Sequence, residues 1–369
     1  MQLPKGLLLL LLCPLSAAPA LAAPLYQMTL LGSGNTSNNI QTRINNDGLV
    51  AGVREDPVSS ARQAYLWKDG VYTMLDTPIN RVGAISADGK IAGEVIDYSA
   101  ETYVARAAMY ANSTTTMLPP PVAQAEQHHV MSGINSAGKV AGTQYVDNLA
   151  HAYISINGVS TQLGALGGSH SFVGGMNEAG VVVGAAEAAN GDWHMFRHDG
   201  SGMVDLGALS DGRYISARDI NDAGVVVGGD LAGPDESAYS RALIYQDGEL
   251  MPVGTFAPGE SSLAVGINNQ GQVIGIGSFS FLVSDGVTYN LNDLLTADNG
   301  FRIAAVHDIN DSGQITGTAC AVGAGCFGML LSPVPEPESA LMLLAGLGLL
   351  YRLRKPSRPT RGPLRHAAA

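Results

Sequence analysis

The sequence predicts an all-β fold, a seven-bladed β-propeller of four-stranded antiparallel blades, on three observations. A phrase of nine residues, Ile-Asn-x-x-Gly-x-Val-x-Gly, occurs seven times with its central glycines 41 to 49 residues apart, which is the period of a four-stranded propeller blade. Glycine accounts for 46 of the 369 residues and only 14% of residues are charged, as suits short strands joined by tight turns. No stretch between the two ends of the chain keeps a helical period of 3.6 residues.

The first 22 residues have the three parts of a secretory signal peptide. Lys5 is the positive residue, Gly6 to Leu12 form the apolar region, and Ala20-Leu21-Ala22 is a cleavage site of small residues. We therefore expect signal peptidase to cut between Ala22 and Ala23, which makes residues 1–22 a signal peptide.

The repeated phrase is expected to form a hairpin turn. The Asn side chain caps such a turn, and the central Gly takes a positive φ at no steric cost. The second copy has Ser86 in place of the Asn, and the fourth begins with Met176 in place of Ile. The central glycines are Gly48, Gly89, Gly138, Gly180, Gly224, Gly271 and Gly313.

Further strands follow each turn. An alternating strand leads into an Asp-Gly turn, as in Ala64 to Gly70, and a short fourth strand follows, as in Met203 to Gly207. This order predicts a four-stranded meander in each repeat.

The repeats resemble the HAF family of extracellular repeat proteins, which is named for a His-Ala-Phe strand. His151-Ala152-Tyr153 and His194-Met195-Phe196 stand in that place, and Leu163 to Gly168 is similar to the family's Leu-Gly-Thr-Leu-Gly-Gly. The resemblance covers nearly all of residues 25–332. It implies a surface repeat protein and supplies no catalytic residue.

The last repeat lacks its fourth strand, because the chain reaches Pro333 after strands near 304–309, 314–319 and 326–331. Residues 25–32 have the pattern of a fourth strand. We expect this N-terminal strand to complete the last blade and so remove exposed edges. An open solenoid is the alternative.

The C-terminal part, residues 334–369, begins with Val334, Pro335, Glu336 and Pro337. An apolar run follows, predicted as a transmembrane helix over about 339–351, and then a basic tail that starts at Arg352, Arg354 and Lys355. The run is shorter than the roughly 20 residues of a stable span, so it predicts transient anchoring. The basic flank is expected to stay in the cytoplasm.

This order resembles the PEP-CTERM sorting signal of Gram-negative bacteria that make exopolysaccharide. The resemblance implies recognition and cleavage by an exosortase, with residues 23–333 delivered through an inner-membrane precursor to the outer surface or the extracellular matrix. An ordinary tail anchor is the alternative.

Cysteine usage fits export. Cys320 and Cys326 bracket a turn of small residues and are expected to form a disulfide across a hairpin. Cys13 would fit lipid attachment, but the preceding Leu12 is not the small residue that this modification requires.

The charge balance excludes nucleic acid as a partner. Removing Lys5 and the six cations of the tail leaves 13 of the 20 basic residues against 32 acidic ones, a net charge of −19. So acidic a surface repels phosphate backbones.

No linear catalytic motif or cofactor-binding loop occurs in the sequence. His194 and His198 are expected to pack on a strand, and His128-His129 to lie in an exposed loop. Calcium is a more serious candidate than a metal at these histidines, because exported acidic repeat proteins often use it and turns such as Asn45 to Gly48 are rich in oxygen, although the sequence has no EF-hand pattern. Trp67 and Trp193 are each either core residues or platforms for sugar rings.

The sequence thus predicts an exported, non-enzymatic component of the cell surface or matrix, sorted by an exosortase and associated with exopolysaccharide or biofilm. Two alternatives stay open. One is a glycan hydrolase or lyase with scattered carboxylates, which acids of raised pKa clustered at one channel mouth would favour. The other is an adhesin for surface proteins, which a large exposed apolar patch would favour.

Overall fold

The computed structural model describes residues 23–31, 41–56, 59, 61–97, 104–123, 128–209, 212–232 and 239–335, and these form an all-β protein. The only helix in these ranges is one 3-10 turn, η1 (Leu291–Leu294). The strands are β1 (Tyr26–Leu31), β2 (Arg43–Ile44), β3 (Val50–Glu55), β4 (Arg62–Lys68), β5 (Val71–Met74), β6 (Arg81–Ile85), β7 (Ile91–Asp97), β8 (Val104–Ala111), β9 (Thr114–Met117), β10 (His128–Ile134), β11 (Val140–Val146), β12 (Leu149–Ile156), β13 (Val159–Gln162), β14 (Gly167–Met176), β15 (Val182–Ala188), β16 (Trp193–His198), β17 (Met203–Gly207), β18 (Gly212–Ile220), β19 (Val226–Ala232), β20 (Tyr239–Gln246), β21 (Glu249–Pro252), β22 (Ser262–Ile267), β23 (Val273–Gly277), β24 (Phe281–Ser284), β25 (Val287–Asn290), β26 (Arg302–Ile309), β27 (Ile315–Ala321) and β28 (Gly325–Pro333).

The strands form antiparallel meanders of four. Five sheets have four strands each, and four of them run in chain order: β2 to β5, β14 to β17, β18 to β21 and β22 to β25. An eight-stranded sheet consists of two such meanders, β6 to β9 and β10 to β13, which a single parallel bridge joins between His128 and Ala105. The predicted four-stranded repeat is therefore present.

The fifth four-stranded sheet combines both ends of the described chain. Its order is β1-β28-β27-β26, and β1 pairs antiparallel with β28 from Tyr26 opposite Pro333 to Leu31 opposite Gly328. Tyr26 and Leu31 are buried at 1% and 2% exposure. The N-terminal strand is thus the edge strand of this sheet, with its first and last side chains buried.

The repeated phrase forms the turn from the first to the second strand of each meander. In the first copy the Gly48 N–H donates to the Asn45 carbonyl oxygen at 3.0 Å, and the Asn45 N–H to that of Leu49 at 3.1 Å. The seven central glycines have φ between +72° and +84°. This is a hairpin loop with a left-handed residue, which glycine adopts without strain.

The core lies between neighbouring sheets. Val227 of the fifth repeat packs with Ile267 and Phe281 of the sixth. Leu330 of β28 packs in the same way with Trp67 of the first repeat. The seventh residue of the phrase is at most 1% exposed in every copy: Val50, Ile91, Val140, Val182, Val226, Val273 and Ile315.

The placement of two histidines in an exposed loop is wrong. His128 and His129 begin β10, and His129 is fully buried with its Nδ1 atom 3.0 Å from the Tyr153 hydroxyl oxygen. Buried and partly buried residues alternate along β10, which is the first strand of its meander. The proline-rich stretch before it made this segment resemble a loop in the sequence.

The predicted membrane helix at 339–351 lies outside the described residues, as does the signal peptide at 1–22. Among the residues with described structure, no helix has the length and apolar character to cross a membrane.

Candidate functional site: two cavities lined by several repeats

The repeated asparagine joins each sheet to the next. Asn221 accepts a hydrogen bond from the Val225 N–H at 3.0 Å, inside its own turn. Its Nδ2 atom donates to the Asn268 carbonyl oxygen of the next repeat at 3.2 Å. Asn268 in turn donates to Asn310 at 2.9 Å, and Asn310 donates to Asn45 of the first repeat at 3.1 Å. The phrase is therefore both a turn and a link between sheets.

Three more asparagines make the same kind of link: Asn45 to the Ser86 carbonyl at 3.2 Å, Asn135 to that of Glu178 at 3.1 Å, and Asn177 to that of Asn221 at 3.1 Å. Ser86 keeps only the turn half of the role, since its Oγ accepts from the Lys90 N–H at 2.9 Å. There the Lys90 ammonium crosses to the next repeat and donates to the Ser136 carbonyl at 2.9 Å.

The oxygen-rich side chains that suggested calcium hold backbone N–H groups. Oδ1 of Asn46 accepts from Asp311 at 2.9 Å, Oδ1 of Asp311 from Asn269 at 2.8 Å, and Oδ1 of Asn269 from Asp222 at 2.8 Å. Over the described part of the chain, no group of three or more His, Cys, Asp or Glu side chains could hold a metal ion. Hydrogen bonds between the turns of neighbouring repeats thus engage these oxygens.

The turns surround a cavity of about 250 Å³, here called the turn mouth, which is lined by residues of all seven repeats. Asp219 and Asp308 face it. Asp219 accepts from the N–H groups of Ile220 at 2.8 Å and Ile267 at 2.9 Å. Asp308 is held alike, by the N–H groups of Ile309 at 2.9 Å and Ile44 at 3.0 Å.

These two carboxyl groups have perturbed acidities. Burial, and then the charge of Asp308, raise the pKa of Asp219 to about 7. Burial raises the pKa of Asp308 also, against the opposing charge of Arg43. Sequence reasoning missed both residues, although each occupies the position just before the Ile of a repeated phrase.

A second and larger cavity, of about 900 Å³, is here called the wide mouth. Arg43, Arg218 and His307 line both cavities and so lie between them. Burial and the charge of Arg43 lower the pKa of His307 to about 3, so this imidazole is neutral near pH 7.

An aromatic wall, formed by Tyr145, Phe172 and Trp193, lines one side of the wide mouth. The rings of Phe172 and Trp193 are stacked with centroids 5.1 Å apart, and those of Tyr145 and Phe172 are 6.2 Å apart. Trp67, by contrast, is buried at 8% exposure. The structure thus places one tryptophan in the core and the other at a cavity.

The remaining predicted residues are placed as follows. Cys320 and Cys326 lie opposite each other on β27 and β28 with their sulfur atoms 2.01 Å apart, at the edge of the wide mouth. His194 contacts Asp205, with 2.8 Å between Nδ1 and Oδ2, and His198 is buried.

The sorting motif follows β28 directly. The Val334 N–H donates to the Leu25 carbonyl at 2.8 Å, and Pro335 is the last described residue. Ala23 is the first described residue and is exposed. Outside the described residues lie Ala22, Glu336, Pro337, Arg352, Arg354 and Lys355.

Comparison with known proteins identifies the C-terminal segment. Residues 333–355 match the PEP-CTERM protein-sorting motif. This confirms the sequence assignment of that segment, and the motif indicates an exported protein of Gram-negative bacteria that is processed at the membrane by an exosortase. The search of curated proteins found no match to this chain.

Solved structures show similarity in fold. YCF48 bound to D1 peptide is 10% identical, with a TM-score of 0.50 over 86% of this chain and 98% of that chain. The Dos1 propeller is 10% identical with a TM-score of 0.45, over 84% of this chain and 94% of that chain. XC5397 from Xanthomonas campestris, a gluconolactonase, is 13% identical with a TM-score of 0.41, over 86% and 93%. At these identities the likeness extends to the fold alone.

Proposed function

We propose that this protein is a non-enzymatic binding component of the bacterial surface or extracellular matrix, which holds exopolysaccharide in the wide mouth of a seven-bladed propeller. The observation that carries the proposal is the aromatic wall beside a cavity of about 900 Å³ in a chain with an exosortase sorting motif. Large cavities with aromatic walls and a few polar groups are typical of ligand sites.

The seven-bladed ring is part of this proposal. Its support is the hydrogen bond from Asn310 to Asn45, the pairing of β1 with β28, and the turn mouth lined by every repeat. Membership of the HAF repeat family is proposed with it, on the motifs His151-Ala152-Tyr153 and His194-Met195-Phe196.

Processing at both ends completes the proposal. Signal peptidase would cut between Ala22 and Ala23, and the helix over 339–351 would anchor the precursor, with its basic flank in the cytoplasm, until exosortase cuts near Val334 to Pro337. Since β28 ends at Pro333, such a cut leaves every strand pairing in place. Mass spectrometry of the mature surface form tests both cleavage sites.

Binding is tested with the exported protein, purified after processing, and exopolysaccharide isolated from the source strain. We expect saturable binding that a calcium chelator does not abolish, because the oxygens of the turns are already engaged. Capture of a surface protein without polysaccharide binding would favour the adhesin instead.

One observation favours a second candidate, a glycan hydrolase or lyase. Asp219 and Asp308 face the same cavity with raised pKa values, as general acids do. Yet each carboxylate already accepts two backbone hydrogen bonds, so a structural role accounts for both. Release of reducing ends from the polysaccharide, lost in Asp219→Asn and Asp308→Asn, would establish this candidate.

A further inference from the structure

The charged residues of the wide mouth contrast with the rest of the protein. The chain carries 32 acidic and 20 basic residues. Among the described residues that line this cavity, the charged ones are Arg43 and Arg218, and no Asp or Glu is present. A locally positive cavity in an acidic protein attracts anions and repels the protein's own surface.

Arg218 is the strongest candidate for contact with such an anion. Its side chain is exposed, and within the described residues no hydrogen bond or ion pair engages its guanidinium group. Arg43 differs, because its Nε atom donates to the Gly83 carbonyl at 2.7 Å. A bound carboxylate would give Arg218 the partner it lacks, through two parallel hydrogen bonds.

The aromatic side chains indicate what carries the anion. The stacked rings of Phe172 and Trp193 present a broad apolar surface. Tyr214 borders the same cavity, is 71% exposed and has a φ of +52°, next to an irregularity in β18. An exposed tyrosine held in the left-handed region is costly, and such strain concentrates at functional sites. Sugar rings, which have one apolar face, fit between these side chains.

We propose that the wide mouth binds an anionic saccharide, with sugar rings packed on Phe172, Trp193 and Tyr214 and a sugar carboxylate paired with Arg218. This inference rests on the proposed function and narrows its ligand to carboxylate-bearing sugars. Neutral sugars would keep the aromatic contacts and lose the ion pair.

The chain supplies its own reporter, because it has two tryptophans and only Trp193 borders the cavity. In Trp67→Phe, all tryptophan fluorescence comes from the proposed site. The probes are oligogalacturonates of defined length, and maltooligosaccharides of equal length as neutral counterparts. We expect the uronate oligomers to change the emission of Trp193 and protect it from acrylamide quenching, with at least roughly tenfold weaker binding of the neutral oligomers. Added salt should weaken uronate binding.

The variant that decides the matter is Arg218→Gln in the full chain, exported and purified after processing. We expect it to bind uronate oligomers about tenfold or more weakly and to melt at the wild-type temperature. Lys68→Gln removes an exposed charge at an outer hairpin and should change nothing. If Trp67→Phe destabilises the protein, quenching of the wild type reports the same site because Trp67 is buried.

Each outcome has a separate meaning. Equal binding of neutral and uronate oligomers, or unchanged uronate binding in Arg218→Gln, overturns the anionic assignment and leaves saccharide binding intact. Binding of the strain's polysaccharide with no response from Trp193 places the ligand elsewhere and overturns the inference. Absence of any polysaccharide binding overturns the proposed function itself.

Discussion

The asparagine link between sheets leads to a quantitative prediction at Asn221, which is buried at 6% exposure. Asn221→Ala removes the acceptor for the Val225 N–H and the donor to the Asn268 carbonyl. Asn221→Ser keeps the hydrogen bond from the Val225 N–H and loses the one to the Asn268 carbonyl. The precedent is Ser86, whose hydroxyl oxygen accepts from the Lys90 N–H in the equivalent turn. The two variants therefore separate the turn from the link.

The expected costs follow from these contacts. A buried N–H left without a partner costs about 1–3 kcal/mol, and loss of one neutral hydrogen bond costs about 1 kcal/mol. We expect Asn221→Ala to lower the free energy of unfolding by about 2–4 kcal/mol and Asn221→Ser by about 1 kcal/mol. Ser86→Ala is the matched control, since it removes a turn acceptor where the side chain makes no link, and should cost about 1–3 kcal/mol.

Urea unfolding followed by circular dichroism and tryptophan fluorescence measures these differences, provided that the dependence on urea is the same for all variants. Equal costs for Asn221→Ser and Asn221→Ala would show that the turn carries no separate energy. If each substitution lowers the free energy of unfolding by less than about 0.5 kcal/mol, as ordinary surface substitutions do, then the asparagine link does not stabilise the fold.

Three further predictions concern the sheet at the chain ends, the channel acids and the disulfide. Deleting residues 23–31 exposes the edge of β28 and removes buried Tyr26 and Leu31, so we expect a loss of more than about 5 kcal/mol; a deletion variant that melts with the wild type would refute ring closure. The pKa of Asp219 is raised from 3.8 to about 7, so the folded chain binds this proton more tightly than the unfolded chain does. The associated stability is present below about pH 4 and lost as the pH rises to about 7. Asp219→Asn should therefore gain stability relative to wild type between pH 4 and pH 8 in urea titrations, whereas a constant difference would contradict the shift. Reducing the bond between Cys320 and Cys326, six residues apart, should lower the free energy of unfolding by about 2 kcal/mol, measured with and without dithiothreitol, and an unchanged midpoint would contradict it.

Much of the fold could be predicted because the same residue pattern recurs in every repeat and folds for the same physical reasons. The glycine at the turn needs a positive φ, and the Val or Ile two residues later is buried in every copy, so period and pattern define the meander. The error at His128 and His129 has a local cause, since the inner strand of that repeat is preceded by Pro119 to Pro121. The prolines indicated a loop, whereas alternation over the next residues was the stronger signal.

The residues of the two cavities could not be predicted from motifs, because they come from repeats that are far apart in sequence: Arg43 from the first, Arg218 and Asp219 from the fifth, and His307 and Asp308 from the seventh. Asp219 and Asp308 are brought together only when separate repeats pack side by side, and Arg218 gains its place at the wide mouth in the same way. The link formed by the asparagines was also invisible, since the turn alone gives these residues a sufficient role. Linear spacing carries no information about contacts between repeats.

Different positions within a repeat have different roles. The phrase itself uses Ile, Asn, Gly and Val for burial, turn and link, and these residues recur because every repeat solves the same packing problem. The two positions before the phrase lie on or next to the first strand of each meander, and several of them line the two cavities. Close packing requires glycine at some of these positions, such as Gly133 and Gly174, whereas others carry polar side chains. There the repeats differ, with Arg218-Asp219 in the fifth, Val265-Gly266 in the sixth and His307-Asp308 in the seventh. The two cavities acquire polar and asymmetric walls through these positions, so ligand specificity can change at residues such as Arg218 while the turn and link residues stay the same. Exchanging Arg218 alters the charge of the wide mouth while the Asn221 link two residues beyond the Asp stays intact, which is why the binding variants and the stability variants should behave independently.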